Sequence, residues 1–188
     1  MSIYNTSFDS ANTAVRTFLT RVGEYYLGRS FNTSSGQAKK DWLKIKNEIF
    51  CGQCAYCGLK TDLLQMEHLY MFNKIEYGLH HPGNIVPCCK LCNVRRKKND
   101  NIYMTWQEQL YTICLENGQQ HFWEERQNKI LKHLNEGEYT YPKLNSKELN
   151  AIKVIADSLY ENIKVEVEKS LNLYKGLQRA FLLDKESE

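Results

Sequence analysis

Cys54-Ala-Tyr-Cys57 and Cys89-Lys-Leu-Cys92 repeat one C-x2-C spacing, with 31 residues between the two pairs. Two residues between thiols let one tight turn aim both sulfurs at a single ion. A glycine after the second cysteine, here Gly58, allows the left-handed backbone that such a turn often needs. Four thiolates close a tetrahedral site and leave no position open for chemistry. The pairs therefore predict one structural Zn²⁺, a kind of site worth about 10–16 kcal/mol of apparent binding energy.

The other cysteines agree with this reading. There are seven in 188 residues, and six of them fall between Cys51 and Cys92. An odd count argues against a disulfide framework, and residues 1–30 lack the pattern of a secretory signal, so a reducing, cytoplasmic setting is expected. One ambiguity stands: Cys51-Gly-Gln-Cys54 has the same spacing, and Cys88 adjoins Cys89. Gly58 favours Cys54 and Cys57, and the matched spacing favours Cys89 and Cys92. Cys51 and Cys88 are then packing residues, and Cys114 lies on a helical apolar face with no assigned function.

With 42% hydrophobic and 25% charged residues, the chain is expected to be globular, which excludes wholesale disorder. No uninterrupted apolar stretch approaches the roughly 20 residues of a membrane span. The net charge of +3 is unevenly spread. Residues 1–100 carry 14 basic and 8 acidic side chains, against 11 and 14 in residues 101–188. The basic half is the cysteine half, which points to an anionic partner there.

Periodicity predicts a helix over 9–27, ending near Gly28, and a second from Ala38 to Phe50 with Trp42, Leu43, Ile45 and Ile49 inward. Short strands fit around Leu63–Tyr70 and Asn84–Pro87, and a helix is expected from Lys90 to the Asn99-Asp100-Asn101 turn. Helical pieces near 103–116 and 119–135 follow. Ser146 is placed to cap a long last helix, whose apolar stripe recurs every three or four residues over 147–183. The units expected are 1–50, 51–100 and 101–188, packed as one body.

Between the cysteine pairs stand Glu67-His68 and Gly83-Asn84-Ile85-Val86-Pro87, and Asn93 directly follows Cys92. A zinc knuckle alone requires none of these. In order, C-x2-C-G, an acidic residue plus His, G-N-hydrophobic, and C-x2-C-N with a basic run resemble the HNH nuclease family over about residues 51–98. The resemblance implies a ββα-metal fold for the zinc-stapled core; with the helices expected from periodicity on its N- and C-terminal sides, the fold class expected is α+β, mainly helical. It also implies roles. His68 is the general base, Glu67 and Asn93 hold a catalytic Mg²⁺ or Mn²⁺, and Asn84 fixes the loop that orients the base. The family more often has Asp where this chain has Glu67.

The chemistry is coherent without the family. A neutral imidazole with a pKa near 6.5 takes a proton from water at neutral pH, and a hard cation stabilises the developing phosphate charge. Neighbours on a regular strand point to opposite faces, so Glu67 and His68 share a site only where the strand bends or ends. Lys90, Arg95, Arg96, Lys97 and Lys98, expected on the helix after Asn93, are read as phosphate contacts. His80 and His81 are read as a solvated loop, and His121 and His133 as structural. The function expected is a metal-dependent DNA endonuclease of restriction or anti-phage defence. The alternatives are a non-catalytic zinc-ribbon nucleic-acid-binding module, and a nuclease subunit that docks on a partner. The long helix over 147–183 is the candidate surface for a homodimer or partner protein, though burial on the chain's own core is the plainer reading.

Overall fold

The computed structural model describes residues 6–185. Helix accounts for 57% of the structure and is joined by one two-stranded sheet, which makes the fold α+β and mainly helical. Helix α1 (Ser7–Leu27) starts where Thr6 and Asp9 cap each other reciprocally, and stops at Gly28, which turns left-handed at φ 73°. Ala11, Val15 and Leu19 lie every fourth residue along its buried face. Helix α2 (Gly36–Lys44) runs into a π-helical turn, Ile45–Ile49. Ile45 is buried as expected, whereas Leu43 is exposed at 40%.

Strands β1 (Gln65–His68) and β2 (Ile85–Cys88) pair antiparallel, with Glu67 opposite Val86 and His68 opposite Ile85. Helix α3 (Trp106–Glu116), again started by a reciprocal cap between Thr105 and Glu108, packs with α4 (Trp123–Asn135). Helix α5 (Ser146–Lys185) is 40 residues long. Its first turn is capped by Asn145 rather than Ser146: the Asn145 Oδ1 accepts from the backbone N–H groups of Lys147 and Glu148. No helix among the described residues is long and apolar enough to cross a membrane.

Two cores hold the elements. The larger joins Ile45, Phe50 and Tyr56 to Leu69 and Val86 of the hairpin region and to Trp106, Leu110 and Ile130 of the later helices. The smaller lies between α1 and α5, where Val15 and Leu19 meet Ile152, Ala156 and Tyr160, with Leu79 between them. The two helices run antiparallel: the Tyr26 hydroxyl donates to Glu148 at 2.9 Å, and Lys164 lies over the Phe8 ring at the other end.

The helix expected from Lys90 does not form. Residues 89–105 are turns and an isolated Lys97–Tyr103 bridge, so the helix of a ββα unit is missing directly after β2. The local charge explains it. Four consecutive cations with no acid among them offer a helix no i,i+3 or i,i+4 ion pair within the run, and Arg95 and Lys98 would repel at i,i+3. The backbone finds partners elsewhere. Buried Gln109 donates to the Cys92 carbonyl and accepts from the Arg96 N–H, each at 2.9 Å, and Asn101 turns left-handed at φ 64°.

Candidate functional site

The sulfurs of Cys54, Cys57, Cys89 and Cys92 lie within 4.8 Å of one another, with Cys57 and Cys89 at 3.8 Å. Tetrahedral coordination at about 2.3 Å puts sulfurs a little under 4 Å apart, so the four can hold a metal ion such as zinc. Each knuckle is a tight turn. Gly58 takes φ 75° and donates to the Cys54 carbonyl, while Cys92 and Asn93 both donate to the Cys89 carbonyl. A bond from the Ala55 N–H to the Pro87 carbonyl ties the first knuckle to β2. The sulfurs of Cys57, Cys88 and Cys92 crowded around Cys54 favour its thiolate and lower its pKa from the usual thiol value. Sharing that anion pushes Cys57 and Cys92 upward. Cys88 packs in the core 3.9 Å from Cys54, as expected of a packing residue, whereas Cys51 is exposed with φ 56°.

His68 closes β1 beside the second cluster of interest. Its ring stacks on Phe72 at 4.9 Å, and its Nε2 lies 3.0 Å from Nδ1 of His80, one nitrogen donating to the other. His80 is therefore no solvated loop residue; it is half-buried against Phe31 and Phe72. Gly23 of α1 makes this possible, because a Cβ there would sit 2.4 Å from the His80 carbonyl oxygen. His81 is buried as well, with Nδ1 accepting from the Gly83 N–H, and His133 is held by the Pro82 and Ile85 carbonyls. His121 stands apart, exposed beside Phe122.

Asn84, fully buried, clamps the loop between the strands. Its Oδ1 accepts from the Tyr70 N–H at 2.8 Å, and its Nδ2 donates to the carbonyls of Tyr70 and Leu79 at 2.9 Å. The clamp holds residues 70 and 79 together at the two ends of the excursion, and His80 follows directly after Leu79.

Glu67 goes elsewhere. Alternation along β1 sends Gln65 and Glu67 to one face and His68 to the other. Glu67 is ion-paired to Arg95 at 2.9 Å, with only 12% and 6% of the two side chains exposed. Burial raises the Glu67 pKa above the ordinary carboxylate value against the pull of Arg95. The same Arg95 nitrogen donates to the His68 and Leu69 carbonyls. Two residues earlier, Asn93 donates to the Gln65 side chain at 2.9 Å. Asn93–Gln65 and Arg95–Glu67 thus form a side-chain ladder across β1. The four residues assigned to one catalytic site fall into two groups: His68 with Asn84 and the newly found His80, and Glu67 with Asn93 and Arg95.

The basic run is divided in the same way. Arg95 is internal, so it does not reach a phosphate in this arrangement. Arg96 pairs with Glu116 and Lys98 with Glu108, both at 2.6 Å, and Lys97 lies over the Tyr103 ring. Lys90 is exposed. The two outer pairs are solvated and worth little, so they can exchange for phosphate.

The buried histidines give the fold an acid limit. Burial pushes His68 down to about 3 and His81 to about 4, and lowers His80 and His133 too. In the unfolded chain these groups take protons near pH 6.5. The unfolded state therefore binds more protons below that pH, and stability falls as pH drops from about 6.5 toward 4, by about 1.4 kcal/mol per pH unit for each of His68 and His81. Urea midpoints at pH 6.5 and 5, taken with zinc content on the same samples, check this. A midpoint that is flat while zinc is retained contradicts it. No protein-family model, curated protein or solved structure matches the chain.

Proposed function

We propose that the chain is an endonuclease of the HNH type that hydrolyses DNA phosphodiester bonds, with a structural zinc at Cys54, Cys57, Cys89 and Cys92. Restriction or anti-phage defence is the role that suits it, because its large helical flanks carry no other recognised catalytic set. The observation that carries the reading is His68 at the end of β1, beside an Asn84-clamped loop and between two cysteine knuckles. A purely structural zinc module has no use for that constellation.

In this reading His68 receives a proton from the attacking water, and His80, hydrogen-bonded to it, sets which ring nitrogen is free. Burial, with Arg16 and Arg95 nearby, holds His68 neutral. A phosphate brought alongside reverses that balance, since a nearby anion favours the protonated imidazole. Lys90, Arg96, Lys97 and Lys98 supply charge for the strand. The catalytic Mg²⁺ or Mn²⁺ is a different matter. Glu67 is held by Arg95, Asn93 by Gln65, and both lie across β1 from His68, so these residues do not fit a cation as they are arranged. No step is assigned to one.

The Glu67–Arg95 pair favours a second reading, a zinc-ribbon module that binds nucleic acid without cutting it. One experiment separates the two. Supercoiled plasmid and linear phage DNA are incubated with the zinc-loaded protein and either Mg²⁺, Mn²⁺ or EDTA. Conversion to nicked or linear forms is expected. DNA binding without any cutting under every condition sinks the enzyme reading and leaves the binding module.

A further inference from the structure

Among the described residues, nothing covers the distal half of α5. Its contacts with α1 run out where Lys164 lies over Phe8, near the first turn of α1. From residue 165 onward, every described side chain of α5 is exposed. Residues 165–185 project about 30 Å at the helical rise of 1.5 Å per residue. Val167, Leu171, Tyr174, Leu177 and Phe181 recur along this stretch at spacings of three and four, and Tyr174 and Phe181 are each 61% exposed. Such a stripe is what a helix presents to another helix. The stretch also contains Gly176, whose Cβ position meets nothing. A glycine inside an exposed helix costs about 1 kcal/mol relative to alanine, and helices of this length gain most of their stability from packing.

Charge says what the partner is. The near end of the stretch carries Glu166 and Glu168 against one cation, Lys169, whose Nζ lies 3.7 Å from Glu166 in an exposed and therefore weak pair. The far end carries Lys175 and Arg179, and no acidic residue lies between Lys169 and Phe181. Turned end for end, the segment is complementary to itself. We propose that residues 165–181 pair antiparallel with the same segment of a second copy of this chain, so that Glu166 and Glu168 of each copy face Lys175 and Arg179 of the other. An isologous contact of this kind closes at two subunits, because each copy uses the same patch. The inference is independent of any nuclease activity, since no residue of the proposed site takes part.

Sedimentation of the full zinc-loaded chain tests it. A dimer is expected. Leu171→Glu with Tyr174→Glu should leave only monomer, and both positions are exposed, so circular dichroism should show an unchanged fold. Glu166→Lys with Glu168→Lys, or Lys175→Glu with Arg179→Glu, should each weaken the dimer about tenfold or more, since each reversal turns four attractive contacts per dimer into repulsive ones. Mixing those two variants should restore pairing. A wild type that stays monomeric overturns the proposal, as does a dimer indifferent to the Leu171 and Tyr174 changes. A parallel pair is betrayed by charge reversals that leave affinity unchanged, because like ends would face each other before and after.

Discussion

Replacing Cys89 by Ser, or Cys54 by Ser, is expected to cost the protein its bound zinc and its cooperative unfolding transition. The effect is large because the staple holds more than its own loops. Cys54, Cys89 and Cys92 belong to the same buried cluster as Tyr56, Leu69, Val86 and Trp106, so the knuckles and the larger core are one body. A structural zinc contributes about 10–16 kcal/mol, which equals or exceeds the whole net stability of a typical domain. Elemental analysis should find one zinc per chain in the wild type and none in either variant. Far-ultraviolet dichroism should keep helix while the near-ultraviolet signal of the buried aromatics is lost. Cys88→Ala is the control. Cys88 lies 3.9 Å from Cys54 but outside the set of four, so that variant should keep its zinc. A Cys89→Ser protein that unfolds cooperatively at the wild-type midpoint would show that the four thiols merely pack together.

His68→Ala is expected to lower DNA cleavage by about 10²–10⁴-fold, the usual cost of losing a general base, while zinc content and DNA binding stay near wild type. The ring also packs on Phe72, so truncation removes a contact as well as a base. His68→Asn, which keeps a polar partner for His80, guards against reading a packing defect as lost chemistry. Both variants should be inactive, and both should melt cooperatively. If either cuts at close to the wild-type rate, the base is some other group.

The fold and the site were unequally legible in the sequence. The knuckles, the hairpin, α1 and α5 could be read because each is written locally: a C-x2-C spacing, a cap, a stripe of one period. The run from Arg95 to Lys98 offers a helix no internal ion pair, and its residues find partners elsewhere: Arg95 with Glu67, Arg96 with Glu116 and Lys98 with Glu108. What could not be read were the partners those residues choose. Arg95 meets Glu67 and His80 meets His68 across the chain, and nothing in the spacing of a single sequence records such a meeting. The alternation rule for strands did warn that Glu67 and His68 would part company. Gly23 gave no signal at all. It reads as one more small residue in a helix until the His80 carbonyl is found resting on it.

The pairing of α1 with α5 joins segments far apart in the sequence, and this has a consequence for how the molecule is made. A polypeptide leaves the ribosome from its first residue at about 5–20 residues per second. The stripe of Ala11, Val15 and Leu19 therefore emerges well before Ile152, Ala156 and Tyr160, which cover it. Through that interval the knuckles can gather metal and the hairpin can close, since their contacts span short stretches of chain. The first helix meanwhile carries its apolar side bare. Contacts between residues so far apart are slow to form, because the loop must be closed before the contact rewards it. The four-cysteine centre is thus placed to mature before the α1–α5 layer, and until that layer closes the nascent chain is exposed to misassociation along α1.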